Sequence, residues 1–406
     1  MRSSCLYLLS LFASVVQAQT QVTGRVIDAK TEETLAFVPI NVAGTDQGTL
    51  TDIDGRFQLE VPALPARVRL SYVGYRTVEL DLTERAPVIV RLEQVSTELR
   101  PVIVSGEDNP AHRIIRRAYA NRKQNDGMRH RSYRYSSYGK TVFDLQLDSA
   151  IVNDTARMAK LDTSAQQAYN FAGQQHLLLI ESATRKSFVP PASAREEVVA
   201  MRVSGLKDPS LLAMAAQTET FSIYDGDIGI GDKRYLGPLA PSSTAKYRFN
   251  LEDTLYQGAD SVYVISYRPR KGTHFNALKG LLYIHTDGYA VQNVTAEPVE
   301  RDGMSVRFQQ VHEQVSGKWF PRQLNTFMYM DNVSVNDMSV VGVGRVYLKD
   351  VEVDADVVTA FIGSPPSSVR LCPRFEHRDR GAVMTPVSVY PAPTVVSPHE
   401  EMISAA

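Results

Sequence analysis

Polar and apolar positions alternate with a period of two through most of this chain, the pattern of strands that bury one face. From Gln21 to about Glu93 the alternating runs are short: 21–28, 37–42, 48–51, 56–61, 68–73, 77–82 and 88–92. Val22, Gly24 and Val26 share one face of the first run. Seven such runs with turn residues between them predict a small seven-stranded β-sandwich. Within it, Asp54-Gly55 between two β-prone runs predicts a hairpin. Residues 133–143 return to strand character, and from Ala245 to about Val353 the runs lengthen. Strands are expected at 247–250, 261–267, 280–286, 290–297, 305–314, 319–330 and 340–351, with Asp287-Gly288 and Ser316-Gly317 as tight turns. This meander predicts one strongly curved, half-barrel-like antiparallel sheet whose concave side is covered by short helices.

Helical periodicity is sparse. Asn109-Pro110 offers an N-cap and a proline at the first helical position, and residues 110–124 then read as one amphipathic helix. Further helices are expected at 165–172 and 211–217, and a loop at 188–191. Beyond Gly363, prolines at 365, 366, 373, 386, 391, 393 and 398 interrupt a stretch without alternation, which predicts a disordered tail. The expected class is therefore mainly β: a sandwich over 19–95, a linker over 96–109, an α+β region with a curved antiparallel sheet over 110–355, and an irregular tail over 356–406.

The first 18 residues read as a secretory signal. Arg2 precedes an apolar run from Cys5 to Val16, and Val16-Gln17-Ala18 suits signal peptidase, so cleavage is expected between Ala18 and Gln19. No later stretch reaches the ~18 apolar residues of a membrane-spanning helix. Of the two cysteines, Cys5 lies in the signal and Cys372 in the tail, which excludes an intrachain disulfide and any CxxC site in the exported chain. Hydrophobic residues at 43 % and charged residues at 22 % fit a globular protein, and a net charge of -1 argues against a nucleic-acid partner held by overall attraction to phosphate.

The short-strand region carries Gly24-Arg25-Val26-Ile27-Asp28, Ala36-Phe37-Val38-Pro39-Ile40-Asn41-Val42, Gly48-Thr49-Leu50-Thr51-Asp52, Asp54-Gly55-Arg56-Phe57 and Leu70-Ser71-Tyr72-Val73-Gly74-Tyr75. In that order they resemble the carboxypeptidase-regulatory-like domain, a transthyretin-type sandwich at the N-terminus of many Gram-negative outer-membrane proteins. The resemblance implies a non-catalytic domain. Tyr247-Arg248-Phe249-Asn250, Tyr263-Val264-Ile265-Ser266-Tyr267, Gly280-Leu281-Leu282-Tyr283-Ile284 and Lys318-Trp319-Phe320-Pro321 resemble an uncharacterised family that follows this sandwich and usually continues into an outer-membrane β-barrel. The stretch after Val351 is too short for a barrel of ~8 strands. The chain is therefore expected to lack that barrel, as a truncated form would.

No set of residues predicts catalysis. His312-Glu313 begins like HExxH, yet Val315 and Ser316 follow in place of the second histidine. Asp52 and Asp54 fall short of a calcium loop, and Gly229-Ile230-Gly231 lacks a third glycine. No catalytic residue, metal ligand or cofactor is assigned. Two candidate contact sites remain. Arg113, Arg116 and Arg117 on the basic helix are candidates for an anionic surface, and Phe275, Tyr283, Trp319 and Phe320 for an apolar pocket on the concave sheet. The expected function is a non-enzymatic, exported envelope module that binds a protein partner or the outer-membrane surface. The alternatives are a periplasmic carrier of a lipid or other apolar ligand and, behind it, a peptidase-associated protein.

Overall fold

The computed structural model describes residues 20–95, 109–152, 154–190, 193–205, 221–230, 233–257, 260–272, 274–300, 304–335 and 338–354. The expected signal cleavage at Ala18 and Gln19, all of the expected 96–109 linker but Asn109, the helix at 211–217 and the tail beyond residue 354 lie outside them.

Seven strands form the sandwich: β1 (Thr20–Asp28), β2 (Pro39–Val42), β3 (Gly48–Leu50), β4 (Arg56–Val61), β5 (Ala66–Leu70), β6 (Val78–Leu82) and β7 (Val88–Leu92). One sheet has the order β4-β1-β7 and the other β3-β2-β5-β6. Alternation decides the packing: in β4, Phe57, Leu59 and Val61 are buried while Arg56, Gln58 and Glu60 are exposed. The Asp54-Gly55 hairpin is not formed. A turn is present, with Gly55 at φ 76° and the Gly55 N–H donating to Asp52 O at 3.0 Å, yet β3 and β4 belong to opposite sheets. Asp-Gly specifies a local reversal, while β4 pairs with β1 and sends Phe57, Leu59 and Val61 into the sandwich core.

The second part contains α1 (Pro110–Ala120), α2 (Arg122–Asn125), α3 (Gly127–His130), β8 (Tyr133–Leu145), α4 (Ser149–Val152), α5 (Thr155–Met158), α6 (Thr163–Ala172), β9 (Leu178–Val189) and β10 (Ser193–Gly205). After these come β11 (Asp227–Ile230), β12 (Lys233–Leu236), a four-residue helix α7 (Ser243–Lys246), β13 (Tyr247–Gln257), β14 (Asp260–Pro269), β15 (Leu278–His285), β16 (Val291–Pro298), β17 (Met304–Val315), β18 (Lys318–Val335) and β19 (Met338–Val353). A ten-stranded sheet runs in the order β10-β9-β8-β19-β18-β17-β16-β15-β14-β13. All seven expected long strands are present. Ser316 at φ 50° and Gly317 at φ 74° make the two-residue turn joining β17 to β18.

Two expectations need correction. The helix over 110–124 is two helices, broken at Asn121, whose side-chain amide donates to Gly288 O at 2.8 Å. Strands β9 and β10 were not expected, and Phe188-Val189 ends a strand rather than lying in a loop. Their sequences carry charged residues on both faces, and the described side chains of β10 are exposed or half-buried. Backbone pairing of β9 with β8 and of β10 with β9 holds them there, which period-two hydrophobicity does not report.

Each face of the large sheet has its own covering. On one, Tyr247, Phe249, Ile265, Leu282 and Leu324 pack under Ile114 and Ile115 of α1 and under Ile223, Tyr224 and Leu239 of the chain before β13. On the other face lies the sandwich.

Candidate functional site

The sandwich is seated by an apolar plug and a polar rim. Ala36, Phe37 and Ile53 pack against Leu255, Val262, Val264, Leu281 and Tyr283 of β13–β15. The Phe37 and Tyr283 rings meet edge-on at 5.5 Å, and the Tyr283 hydroxyl donates to Phe37 O at 2.7 Å. Around the plug, Tyr329 donates to Glu33 at 2.7 Å, Arg307 pairs with Glu33 at 3.1 Å, and Asn41 donates to Asp253 at 3.3 Å. Phe37 has φ 59°, a conformation unfavourable for a bulky residue, and its near-complete burial at this contact holds it there.

Beside the plug the two surfaces part and leave a cleft of about 1030 Å³. Its roof is the sandwich segment 34–36 with 72–75, its floor the polar face of β13–β17, and its side wall the first turn of α1. Five cationic side chains line it, Arg248, Arg268, Arg270, Lys279 and Arg307, against two carboxylates, Glu252 and Glu297. The cleft is therefore electropositive within a chain of almost zero net charge. Lys279 is neutralised by Glu297 at 2.8 Å, Arg307 is held by Glu33, and Arg270 donates to Thr244 O at 3.3 Å. Arg248 and Arg268 differ. They are direct cross-strand partners of β13 and β14, and neither has an ion-pair partner among the described residues. Like charges placed directly opposite destabilise a sheet.

The floor is also polar below these arginines. Gln309 is 4 % exposed, lines the cleft, and its Oε1 has no hydrogen-bond partner among the described residues. Arg307 Nε is likewise unsatisfied. Burial works against the charge of Arg307, but Tyr329 and Glu33 raise its pKa above the ordinary guanidinium value. The Tyr72 hydroxyl is pushed up to about 12 by burial, with Arg307 acting in the opposite direction. At the side wall, burial lowers the pKa of His112, and Arg270 and Arg116 lower it further. Asn109 fixes this wall: its Oδ1 caps α1 at the Ala111 N–H (2.9 Å) and its Nδ2 donates to Phe249 O (2.9 Å).

Of the basic candidates, Arg113 and Arg116 are exposed on α1. Arg117 is engaged instead, donating to the Tyr289 hydroxyl with its guanidinium 5.1 Å from that ring. The positive charge of the following segment is partly neutralised by Arg129–Asp225, Arg131–Asp354 and Arg134–Glu352 pairs. The four aromatic candidates do not form one pocket. Phe275 is half-buried, edge-on to Tyr247 at 5.7 Å. Tyr283 is in the sandwich plug, Trp319 lies beside His285 at 5.6 Å, and Phe320 packs in a separate cluster with Tyr133, Tyr135 and Phe188. Period-two geometry sends Tyr283 to the face opposite Leu282 and Ile284, so recurrence of aromatics along the chain does not bring them together. The cleft residues Arg248, Arg268, Arg307 and Gln309 were missed. They alternate with buried aromatics and valine, a pattern that reads as a solvated face until the sandwich is placed over it.

The residues singled out for metal or catalytic chemistry have structural explanations. His312 is buried, accepting from Gln310 Nε2 at 3.0 Å with its other nitrogen 3.3 Å from Gln292 O, while Glu313 is exposed and 3.4 Å from Arg322. Asp52 Oδ1 accepts the Asp54 and Arg56 N–H groups at 2.9 and 2.8 Å, as an Asx turn does. Among the described residues no group of three or more His, Cys, Asp and Glu side chains is placed to hold a metal ion. Nor is any helix among them long and apolar enough to cross a membrane.

Comparison with known proteins matches residues 22–104 to the CarboxypepD_reg-like domain and residues 114–341 to a family of unknown function, DUF5686. TonB-dependent receptor P3 of Formosa agariphila is 32 % identical over 101 residues, covering 25 % of this chain and 10 % of the receptor. TonB-dependent receptor P39 of the same organism is 34 % identical over 107 residues, covering 24 % of this chain and 10 % of the receptor. The chain thus spans about a tenth of the length of these curated relatives. A solved DUF1329 family protein from Desulfovibrio piger overlaps 62 % of this chain and 97 % of its own at 9 % identity, with a TM-score of 0.27. With the sandwich match ahead of the long-sheet match, as the strands are ordered in the fold, the chain belongs to the family of unknown function DUF5686 and carries a CarboxypepD_reg-like domain before it.

Proposed function

We propose that this protein is an exported, non-enzymatic interaction or assembly module of the Gram-negative envelope, associated with the outer membrane. The observation that carries the reading is the docking of the sandwich on the large sheet. The apolar plug around Phe37 and Tyr283 and the polar rim around Glu33 make one platform of two domains, with a polar cleft and the exposed Arg113 and Arg116 as its contact features. The local similarity to TonB-dependent receptors, over about a quarter of this chain, supports an envelope location, and neither matched family description names an activity.

The apolar-carrier alternative has less support, because the helix-covered face is filled by its own Ile114, Ile115, Ile223 and Tyr224. Membrane fractionation of expressing cells tests the location, with outer-membrane or periplasmic recovery expected and cytosolic recovery overturning it. Membrane contact through α1 is tested by flotation with anionic vesicles. Arg113→Glu with Arg116→Glu should weaken binding more than about tenfold, since a basic residue near an anionic surface contributes ~1 kcal/mol. Equal flotation of variant and wild type would reject that contact.

A further inference from the structure

We propose that the cleft between the sandwich and strands β13–β17 is a binding site for an organic phosphate carried on a hydroxyl-rich body, of the sugar-phosphate class, with Arg248 and Arg268 gripping the phosphate. Three observations point to it independently. First, Arg248 and Arg268 stand directly opposite each other on adjacent strands, line the cleft, and have no ion-pair partner among the described residues. An oxyanion between them removes the like-charge repulsion, and guanidinium groups take phosphate through paired, charge-assisted hydrogen bonds.

Second, the floor offers an unsatisfied acceptor. Gln309 Oε1 is buried without a partner among the described residues, in a residue that is 4 % exposed, and such an acceptor calls for a donor, which a ligand hydroxyl in the cleft would supply. Phosphate at neutral pH has little donor capacity, whereas a hydroxyl has one. Glu252 and Ser266, next to the arginines on β13 and β14, also line the cleft, with Ser266 donating to Glu252 at 2.5 Å. Third, the volume of about 1030 Å³ lies at the upper end of the ~300–1,000 Å³ usual for small-molecule sites, which suits a sugar and its ester rather than a bare ion.

This assignment adds a ligand to the envelope-module reading and stands or falls separately from it. The test is isothermal titration of the full chain with glucose-6-phosphate, using glucose and inorganic phosphate as comparators. Saturable binding of the ester is expected, at least about tenfold tighter than either comparator, because only the ester engages both the arginines and Gln309. Arg268→Glu should lower affinity for the ester at least about tenfold while raising the Tm of the unliganded protein, because the new carboxylate faces Arg248. Gln309→Leu should bring the affinity for the ester down to that for inorganic phosphate. A separate arm with phosphatidylglycerol vesicles tells the source of the phosphate. Co-sedimentation lost in Arg268→Glu identifies a lipid headgroup, and soluble binding alone identifies a free ester. No saturable heat with the ester up to about 10 mM, or unchanged affinity in Arg268→Glu, overturns the proposal. Ester binding by a chain recovered outside the envelope would leave the site standing and remove the location.

Discussion

His312 shows how one side chain is settled by its surroundings. Burial pushes its pKa down from the ordinary imidazole value of 6.5 to about 4, with the Gln292 carbonyl working in the other direction. The folded protein therefore refuses a proton that the unfolded chain accepts between pH 6.5 and about 4, and stability falls as pH drops through that window. A shift of this size corresponds to roughly 3 kcal/mol at its full extent. Thermal melts of wild type and His312→Gln between pH 7 and pH 4 should show the wild type losing more Tm on acidification. Parallel curves would sink the claim. The same residue marks a limit of reading from sequence. His312-Glu313 looks like half a metal motif, yet consecutive strand residues point to opposite faces, so the histidine goes to the core and the glutamate to Arg322.

At the scale of elements, the sequence was most informative where local chemistry and burial agree. Asn109-Pro110 specifies the start of α1, and the cap forms as the residue types require. Asn109 does more than cap, since its amide also ties the helix to Phe249 O on β13 and so sets the side wall of the cleft. Asn109→Ala should destabilise the protein by about 1–2 kcal/mol, read as a lowered denaturation midpoint, because the cap and the tie are lost together. Asn109→Asp retains the capping acceptor and should recover part of that loss. Legibility failed where an element is specified from outside itself. Asn121 ends α1 because Gly288, 167 residues away, offers a carbonyl, and β10 is a strand because β9 is beside it. Asp54-Gly55 turns the chain correctly, but the partner of β4 is β1, chosen by sandwich packing.

For the whole molecule, the decisive contact is Phe37 on Tyr283. It joins two families' worth of sequence into one body, and it holds Phe37 at φ 59° where a free loop would relax. Phe37→Ala should remove about 3–5 kcal/mol of packing. Because Phe37 packs against the sheet rather than in the sandwich's own core, the loss should fall on the docking. Differential scanning calorimetry of wild type is expected to give a single transition, and of the variant two. A variant that still melts in one transition at a uniformly lower temperature would show that docking does not depend on this contact. The cleft exists through the same contact, so loosening it should also weaken any ligand held by Arg248 and Arg268.

The mainly β class, the seven sandwich strands, seven of the long strands and the capped start of α1 were legible in the residues alone. Each of these follows from short-range information: alternation of burial, turn chemistry and a cap within three residues of its target. Which aromatics share a cluster, and which polar face becomes the floor of a cleft, depends on packing between distant segments. Alternation reports that Arg248, Arg268 and Gln309 avoid the core of their own sheet, and it is silent on what lies across from them. That is set by the pairing of residues distant in sequence and by the seating of Phe37 on Tyr283, a contact between positions 246 residues apart for which no local periodicity carries a signal.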